Sequence, residues 1–166
     1  ALRAYRLENR DTAGTTVRTI AFGYDAAGYL LSVQDPDSHY EFDYDALDRM
    51  KTSDNAGTPH VPHVALNYTY DAIGNGLTIA DNLGTQVGWT YDVRNLPTRM
   101  TWQGTAIHPA RVDFTYNARG ERTQVDRFAD VTGTQKVGSS TLDYDALGRL
   151  YGEPAPDDAR WRSEIA

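Results

Sequence analysis

The sequence predicts an all-β protein built from repeated antiparallel β-hairpins. Two observations carry this prediction: a short phrase recurs six times along the 166 residues, and each copy joins alternating aromatic residues to a turn signal. No stretch of the chain shows convincing helical periodicity. We expect roughly a dozen strands in an open antiparallel sheet, with little helix.

The first half of each phrase predicts a strand. An apolar residue stands two positions before a tyrosine in every copy, and because side chains alternate along a strand, the two share one face. We expect that aromatic face to be buried. The apolar positions are Phe22, Phe42, Tyr68, Trp89, Phe114 and Leu142. The tyrosines on which the six repeats are centred are Tyr24, Tyr44, Tyr70, Tyr91, Tyr116 and Tyr144.

The second half of each phrase predicts a tight turn. Each tyrosine is followed by Asp or Asn, whose side chains bond backbone N–H groups two residues on. A glycine usually follows three positions later, which is typical of a type I turn closed by a left-handed residue. The Asp and Asn positions are Asp25, Asp45, Asp71, Asp92, Asn117 and Asp145. The glycines are Gly28, Gly74, Gly120 and Gly148, while Asp48 and Asn95 take the place in the other copies and are residue types that tolerate that conformation.

Polar breaks between the phrases indicate a second turn in each repeat, so one repeat contains two strands. Examples are the segments 35–38, 81–84 and 130–133. We assign residues 1–151 to the repeat array. Pro154 and Pro156 break the pattern, so we assign residues 152–166 to a C-terminal tail that is either a short helix or disordered.

Composition excludes several classes of function. The net charge of −7 and the pI near 4.9 repel phosphate backbones, so we expect no nucleic-acid partner. The chain has no Cys, which excludes disulfides and thiolate metal sites. No apolar stretch approaches about 18 residues, and the N-terminus lacks the apolar core of a signal peptide, so we expect no membrane insertion and an export signal outside this sequence.

The complete phrase Tyr-Asp-x-x-Gly-Arg-Leu, at residues 144–150, resembles the YD repeat of the RHS family. That family includes bacterial Rhs proteins, the shell subunits of Tc toxins and animal teneurins. The resemblance extends from Phe22 to about Tyr151. Individual copies depart from the pattern. The arginine of the phrase is replaced in four copies, by Tyr29, Asn75, Leu96 and Glu121, and its final leucine is replaced in three copies, by Gly76, Pro97 and Arg122.

The resemblance implies a sheet that coils as one strip of a β-shell, which in the family encloses a toxic domain or supports an adhesive surface. The implied partners are neighbouring repeats of a longer parent chain or an enclosed effector domain. We find no sequence similar to the aspartyl-protease core of the family and no toxin domain, so neither activity is carried over. The implied location is secreted or at the bacterial cell surface, with a cytoplasmic toxin shell as the other option.

The sequence offers no convincing catalytic or metal site. Six equivalent copies, of which five carry a Tyr-Asp pair and one a Tyr-Asn pair, do not form one constellation with separated pKa values, which acid–base catalysis needs. His60 and His63 flank Pro62, yet no third ligand at fixed spacing accompanies them, and we interpret them as loop residues. No phosphate-binding loop or nucleophile elbow is present. We therefore predict no enzyme activity and no cofactor.

We predict a non-catalytic structural segment of a larger bacterial RHS-type cell-surface or toxin-encapsulating protein. The alternative is a carbohydrate-binding or cell-adhesion module, because sugars can stack on exposed aromatic rings. Its candidate residues are Trp102, expected near a hairpin tip, and Trp89, expected to be buried. The edge strands of an open sheet also offer unpaired backbone groups, so self-association by edge pairing is a further prediction.

Overall fold

The computed structural model describes residues 3–152, which consist of strands and turns. No described residue belongs to a helix, so the described range contains no helix that could cross a membrane. The all-β prediction is confirmed. The predicted tail lies outside the described residues from residue 153 onward.

Fourteen strands follow one another along the described chain. They are β1 (Arg3–Arg10), β2 (Thr16–Tyr24), β3 (Leu30–Asp35), β4 (Ser38–Tyr44), β5 (Met50–Asp54), β6 (Ala65–Tyr70), β7 (Gly76–Asp81), β8 (Thr85–Tyr91), β9 (Pro97–Gly104), β10 (Ala110–Tyr116), β11 (Arg122–Phe128), β12 (Lys136–Thr141), β13 (Asp143–Tyr144) and β14 (Leu150–Gly152). The first twelve form one open antiparallel sheet in chain order, and β13 pairs with β14. The prediction of about a dozen antiparallel strands is confirmed.

The chain divides into two compact units. Unit 1 consists of Ala1–Thr69 with Ile79–Leu83, and unit 2 consists of Tyr70–Thr78 with Gly84–Ala166. Within each unit, most sequential strands are joined by short turns, which is the connection that antiparallel neighbours allow, while a longer loop at residues 55–64 joins β5 to β6.

In unit 1 the register separates an aromatic face from a polar one. Phe22 lies opposite Tyr5 on one side and opposite Val33 on the other, and Val33 in turn lies opposite Tyr40. Directly opposed residues in an antiparallel pair point to the same face, so these side chains form one continuous row. The other face carries polar pairs such as Glu41 opposite Asp54.

In unit 2 the same separation recurs with larger aromatic residues. Trp89 lies opposite Met100, and Trp102 lies between Val87 and Ala110. The opposite face of the same strands carries charged pairs, described below. The alternation of apolar and polar residues along each strand therefore gives each unit two chemically different faces.

None of the described side chains is fully buried. The expectation of a buried aromatic face is therefore wrong in degree: Phe22, Trp89 and Phe114 are half-buried. The physical reason is that neighbours on adjacent strands of a sheet cover its side chains only laterally.

Candidate functional site

The most regular structural element of the chain is the turn that ends each phrase. In the second copy, the Oδ1 atom of Asp45 accepts hydrogen bonds from the backbone N–H groups of Leu47 (2.8 Å) and Arg49 (3.1 Å). The backbone N–H of Asp48 donates to the carbonyl of Asp45 at 3.0 Å, and the N–H of Asp45 donates to the carbonyl of Arg49 at 2.9 Å. These four bonds close the chain into a tight hairpin.

The other copies use the same bonds. Side-chain oxygens of the equivalent Asp or Asn accept backbone N–H groups within their own turns in all six copies: the acceptors are Asp25, Asp45, Asp71, Asp92, Asn117 and Asp145. The last turn residue has a positive φ in every copy, with φ values of 103° at Gly28, 61° at Asp48, 98° at Gly74, 63° at Asn95, 81° at Gly120 and 77° at Gly148. A left-handed residue at this place shifts the register by one, as seen beside Tyr24, Tyr44, Tyr91, Tyr116 and Tyr144.

Several turn carboxylates are held ionised by their bonds. The Arg49 side chain, which donates to Asp45, lowers the pKa of that carboxyl below its usual value. The backbone N–H of Leu96 lowers the pKa of Asp92, and the backbone N–H of Arg149 lowers the pKa of Asp145. The lowered pKa values fit a role as hydrogen-bond acceptors rather than as proton donors.

The tyrosines connect one repeat to the next. The Tyr44 hydroxyl donates to the carbonyl of Leu30 at 3.0 Å, and Leu30 is six residues after Tyr24, the tyrosine of the preceding repeat. The same spacing recurs in unit 2, where the hydroxyls of Tyr91, Tyr116 and Tyr144 donate to the carbonyls of Gly76 (2.8 Å), Pro97 (2.8 Å) and Arg122 (3.0 Å). We call these four contacts the tyrosine bridges. They place each bridging ring across the start of the neighbouring hairpin's second strand.

The tyrosine bridges were not predicted from the sequence. The phrase indicates only that the tyrosine shares a face with the apolar residue two positions earlier. The acceptor is a backbone carbonyl, which every residue has, so no side chain marks it in the sequence. The recurring distance of six residues from the preceding tyrosine is the one sign that could have revealed it.

A charged network occupies the polar face of unit 2. Asp113 and Asp126 lie directly opposite each other on β10 and β11. Like charges in such positions repel, and three cations neutralise them here. Arg111 and Arg99 bind Asp113, and Lys136 lies 2.8 Å from Asp126.

The two carboxylates of this network are both held as anions. Arg111 lowers the pKa of Asp113, and Lys136, supported by Ser139, lowers the pKa of Asp126 to about 2. Acid–base catalysis by two carboxylates needs one of them protonated near neutral pH, with its pKa raised. In this pair both pKa values are lowered instead, so neither carboxyl group is suited to act as a general acid.

The tryptophans lie on the aromatic face of unit 2. Trp102 is a residue of β9, paired on both sides, and lies two residues before the strand ends at Gly104 and the chain turns towards β10. Trp89 and Trp102 occupy diagonal positions on adjacent strands, and both are half-buried.

The two histidines of the β5–β6 loop lie in different environments. His63 Nε2 lies 2.8 Å from Asp54 Oδ1, while His60 occupies a turn position with a φ of 62°. Within residues 3–152 no group of three His, Cys, Asp or Glu side chains is arranged to hold a metal ion.

Comparison with known proteins gives matches at the level of structure alone. No family model matches the sequence, and no curated protein matches it. A crystal structure of TcdB2-TccC3 without its hypervariable C-terminal region matches with a TM-score of 0.66 and 15% identity, over 89% of this chain. The Photorhabdus luminescens Tc holotoxin pore matches with a TM-score of 0.67, also at 15% identity and over 89% of the chain.

The chain spans 9% of the length of these toxin chains. At this identity the likeness establishes the fold and nothing further. It agrees with the fold that the repeated phrase, the hairpin turns and the open antiparallel sheet point to. The chain therefore has the fold of an RHS-type YD-repeat sheet.

Proposed function

We propose that this chain is a non-catalytic structural strip of a longer bacterial RHS-type protein that encloses an effector domain or displays a surface. The observation that carries the proposal is the match of 86–89% of the chain to short stretches of Tc toxin structures. In this proposal its partners are the neighbouring repeats of the parent chain and the enclosed domain. Its location is secreted or at the cell surface.

The bonding pattern supports a structural role. Turn residues direct their polar groups to backbone atoms of their own repeat, and the tyrosines of the bridges direct theirs to the preceding repeat, which fixes the position of one hairpin against another. The opposed carboxylates of the polar face are neutralised by cations rather than poised for proton transfer. Both features are more typical of a structural repeat than of an active site.

The size of the native polypeptide tests this proposal. An antibody raised against the chain would be used to probe extracts and culture medium of the source organism. We expect a product many times larger than 18.5 kDa. A native product of about this mass would overturn the proposal, since a strip of this length cannot enclose a domain.

The alternative function is carbohydrate binding. The diagonal pair of Trp89 and Trp102 on one face favours it, since neighbouring indoles can stack on the apolar faces of a sugar chain. The test is a glycan array with the wild type and Trp102→Ala, with Phe42→Ala on unit 1 as the control. Saturable binding lost only in Trp102→Ala, with unchanged circular dichroism, would establish this alternative; no binding by the wild type would dismiss it.

A further inference from the structure

The residue that follows a turn in unit 2 reaches the left-handed residue of the next turn. Asn75 follows the turn at 71–74, and its Nδ2 atom donates a hydrogen bond to Oδ1 of Asn95 at 3.2 Å. Asn95 closes the next turn with a φ of 63°. Leu96 follows that turn, and its Cδ1 atom lies 3.5 Å from the place that a β-carbon on Gly120 would occupy. The same two positions therefore meet at successive junctions between repeats.

The third junction of unit 2 leaves little room for a side chain at the left-handed position. A β-carbon on Gly148 would stand 2.9 Å from Oε1 of Glu121. The other carboxylate oxygen of Glu121 accepts hydrogen bonds from Nδ2 of Asn117 at 2.6 Å and from Nε of Arg119 at 3.0 Å. Moving Glu121 aside would strain both bonds, so glycine fits this junction better than Asp or Asn.

Unit 1 contains a junction with the same arrangement. Tyr29 follows the turn at 25–28, and Asp48 is the left-handed residue of the next turn, with a φ of 61°. A hydrogen bond to the Asp48 side chain raises the pKa of the Tyr29 hydroxyl, and the ring centroids of Tyr29 and Tyr44 lie 5.2 Å apart. We call the four contacts the junction pairs: Tyr29–Asp48, Asn75–Asn95, Leu96–Gly120 and Glu121–Gly148.

The residue types at the two positions of a junction pair correspond to each other. Where the first residue carries a hydrogen-bond donor, as Tyr29 and Asn75 do, the second residue is Asp or Asn. Where the first residue is Leu96 or Glu121, which offer no donor, the second residue is glycine. Glycine adopts the left-handed conformation without strain, whereas Asp and Asn cost some free energy there. The hydrogen bond from the preceding repeat compensates for that cost.

We propose that the junction pairs specify which hairpin packs beside which, and so determine the order of the repeats in the folded sheet. Six copies of nearly the same phrase offer many incorrect neighbours, and incorrect association is a characteristic failure of repeat proteins. A donor placed beside glycine would lose its acceptor. An Asn placed beside Leu96 or Glu121 would keep its left-handed strain without gaining a bond. This proposal concerns folding and does not depend on the proposed function.

A double-mutant cycle on one junction pair tests the proposal by urea unfolding of the whole chain. The variants are Asn75→Leu, Asn95→Gly and the two together, and the double variant carries the leucine and glycine of the next junction. The control cycle combines Asn75→Leu with Gly120→Asn, where a β-carbon would lie within 4 Å of Leu96 and not of Asn75. Far-ultraviolet circular dichroism follows unfolding and verifies that each variant keeps the sheet.

The effect of Asn95→Gly is expected to depend on residue 75. In the wild type it should change the unfolding equilibrium constant little, because the lost hydrogen bond offsets the relief of left-handed strain. In the Asn75→Leu background it should stabilise the chain about fivefold more, because no bond remains to be lost and leucine no longer meets the Asn95 side chain. The control cycle should be additive within about twofold.

Two results would overturn the proposal. The first is additivity within about twofold in the Asn75–Asn95 cycle. The second is equal coupling in both cycles, because the coupling would then reflect a general change in unfolding rather than the junction contact. If Asn75→Leu does not fold, Asn75→Ala replaces it in both cycles, with an expected coupling of about threefold from the hydrogen bond alone, and additivity again contradicts the proposal. None of these results bears on the size of the native polypeptide, which tests the proposed function separately.

Discussion

Replacing Tyr116 by Phe removes one tyrosine bridge and little else. The hydroxyl donates to the carbonyl of Pro97 at 2.8 Å, while the ring is half-buried beside Phe114 and the side chain of Arg122. Phenylalanine keeps the ring and its packing and loses only the hydrogen bond. The substitution therefore isolates the energy of the bridge.

The expected cost is about 1 kcal/mol of unfolding free energy, the ordinary net value of an intramolecular hydrogen bond. Partial exposure lets water replace the bond at both groups, so the larger penalty of a buried unsatisfied group does not apply. The four described bridges would then contribute about 4 kcal/mol together, a large share of the roughly 5–15 kcal/mol that stabilises a typical domain. Because each bridge joins two repeats, its loss also weakens their coupling.

Urea unfolding followed by circular dichroism measures this effect, with Tyr40→Phe as the matched control. Tyr40 is 40% exposed, and the described residues provide its hydroxyl with no hydrogen-bond partner. We expect the control to change the unfolding free energy by less than about 0.5 kcal/mol. If Tyr116→Phe costs no more than the control, the bridges do not stabilise the sheet, and the argument for their structural role fails.

Three further predictions concern the turns and the charges. Gly120→Ala should lower the unfolding free energy by about 1 kcal/mol, because alanine is strained at a φ of 81°. Asn95→Gly, at the equivalent position of another turn, should leave the unfolding free energy equal or higher. Denaturant midpoints that rank the two variants the other way would contradict this prediction. Asn117→Ala should lower the unfolding free energy by about 1 kcal/mol, because Oδ1 of Asn117 accepts two hydrogen bonds from backbone N–H groups. Asn117→Asp should restore only part of that loss in the same assay, because it keeps these two bonds but places a carboxylate beside Glu121, which accepts from Nδ2 of Asn117 at 2.6 Å. The pKa values of Asp126 and Asp130 are about 2, against an ordinary 3.8. The stability that these two carboxylates contribute is therefore complete above about pH 4 and is lost as the pH falls towards 2. Asp126→Asn should flatten this part of the curve of unfolding free energy against pH, and an unchanged curve would contradict the lowered pKa of Asp126.

The hairpins could be predicted because their signals are local. Asp at the first turn position and Gly three residues later specify a tight turn from four adjacent residues, without reference to the rest of the chain. Even Asp48 and Asn95, which replace the glycine, adopt the left-handed conformation that their residue types tolerate. Strand number and order follow from the turns, since short connections leave only antiparallel neighbours.

The degree of burial and the links between repeats could not be predicted in the same way. An alternating pattern shows which side chains share a face, but it does not show whether a second layer covers that face. Trp102 illustrates a second limit, because its position in the sequence does not show that β9 is paired on both sides there. The Asp113–Asp126 opposition depends on register across two strands, which the spacing of a single phrase does not specify.

A sheet in which none of the side chains at residues 3–151 is fully buried must derive its stability from many small lateral contacts. Each tyrosine bridge, turn cap and ion pair contributes on the order of 1 kcal/mol or less, and each joins a residue to its own hairpin or to the next one. Stability then increases with the number of neighbouring repeats, and an added hairpin at either end supplies both a bridge and lateral cover for the aromatic face. The same physics that makes a short strip marginally stable therefore favours a long array of repeats.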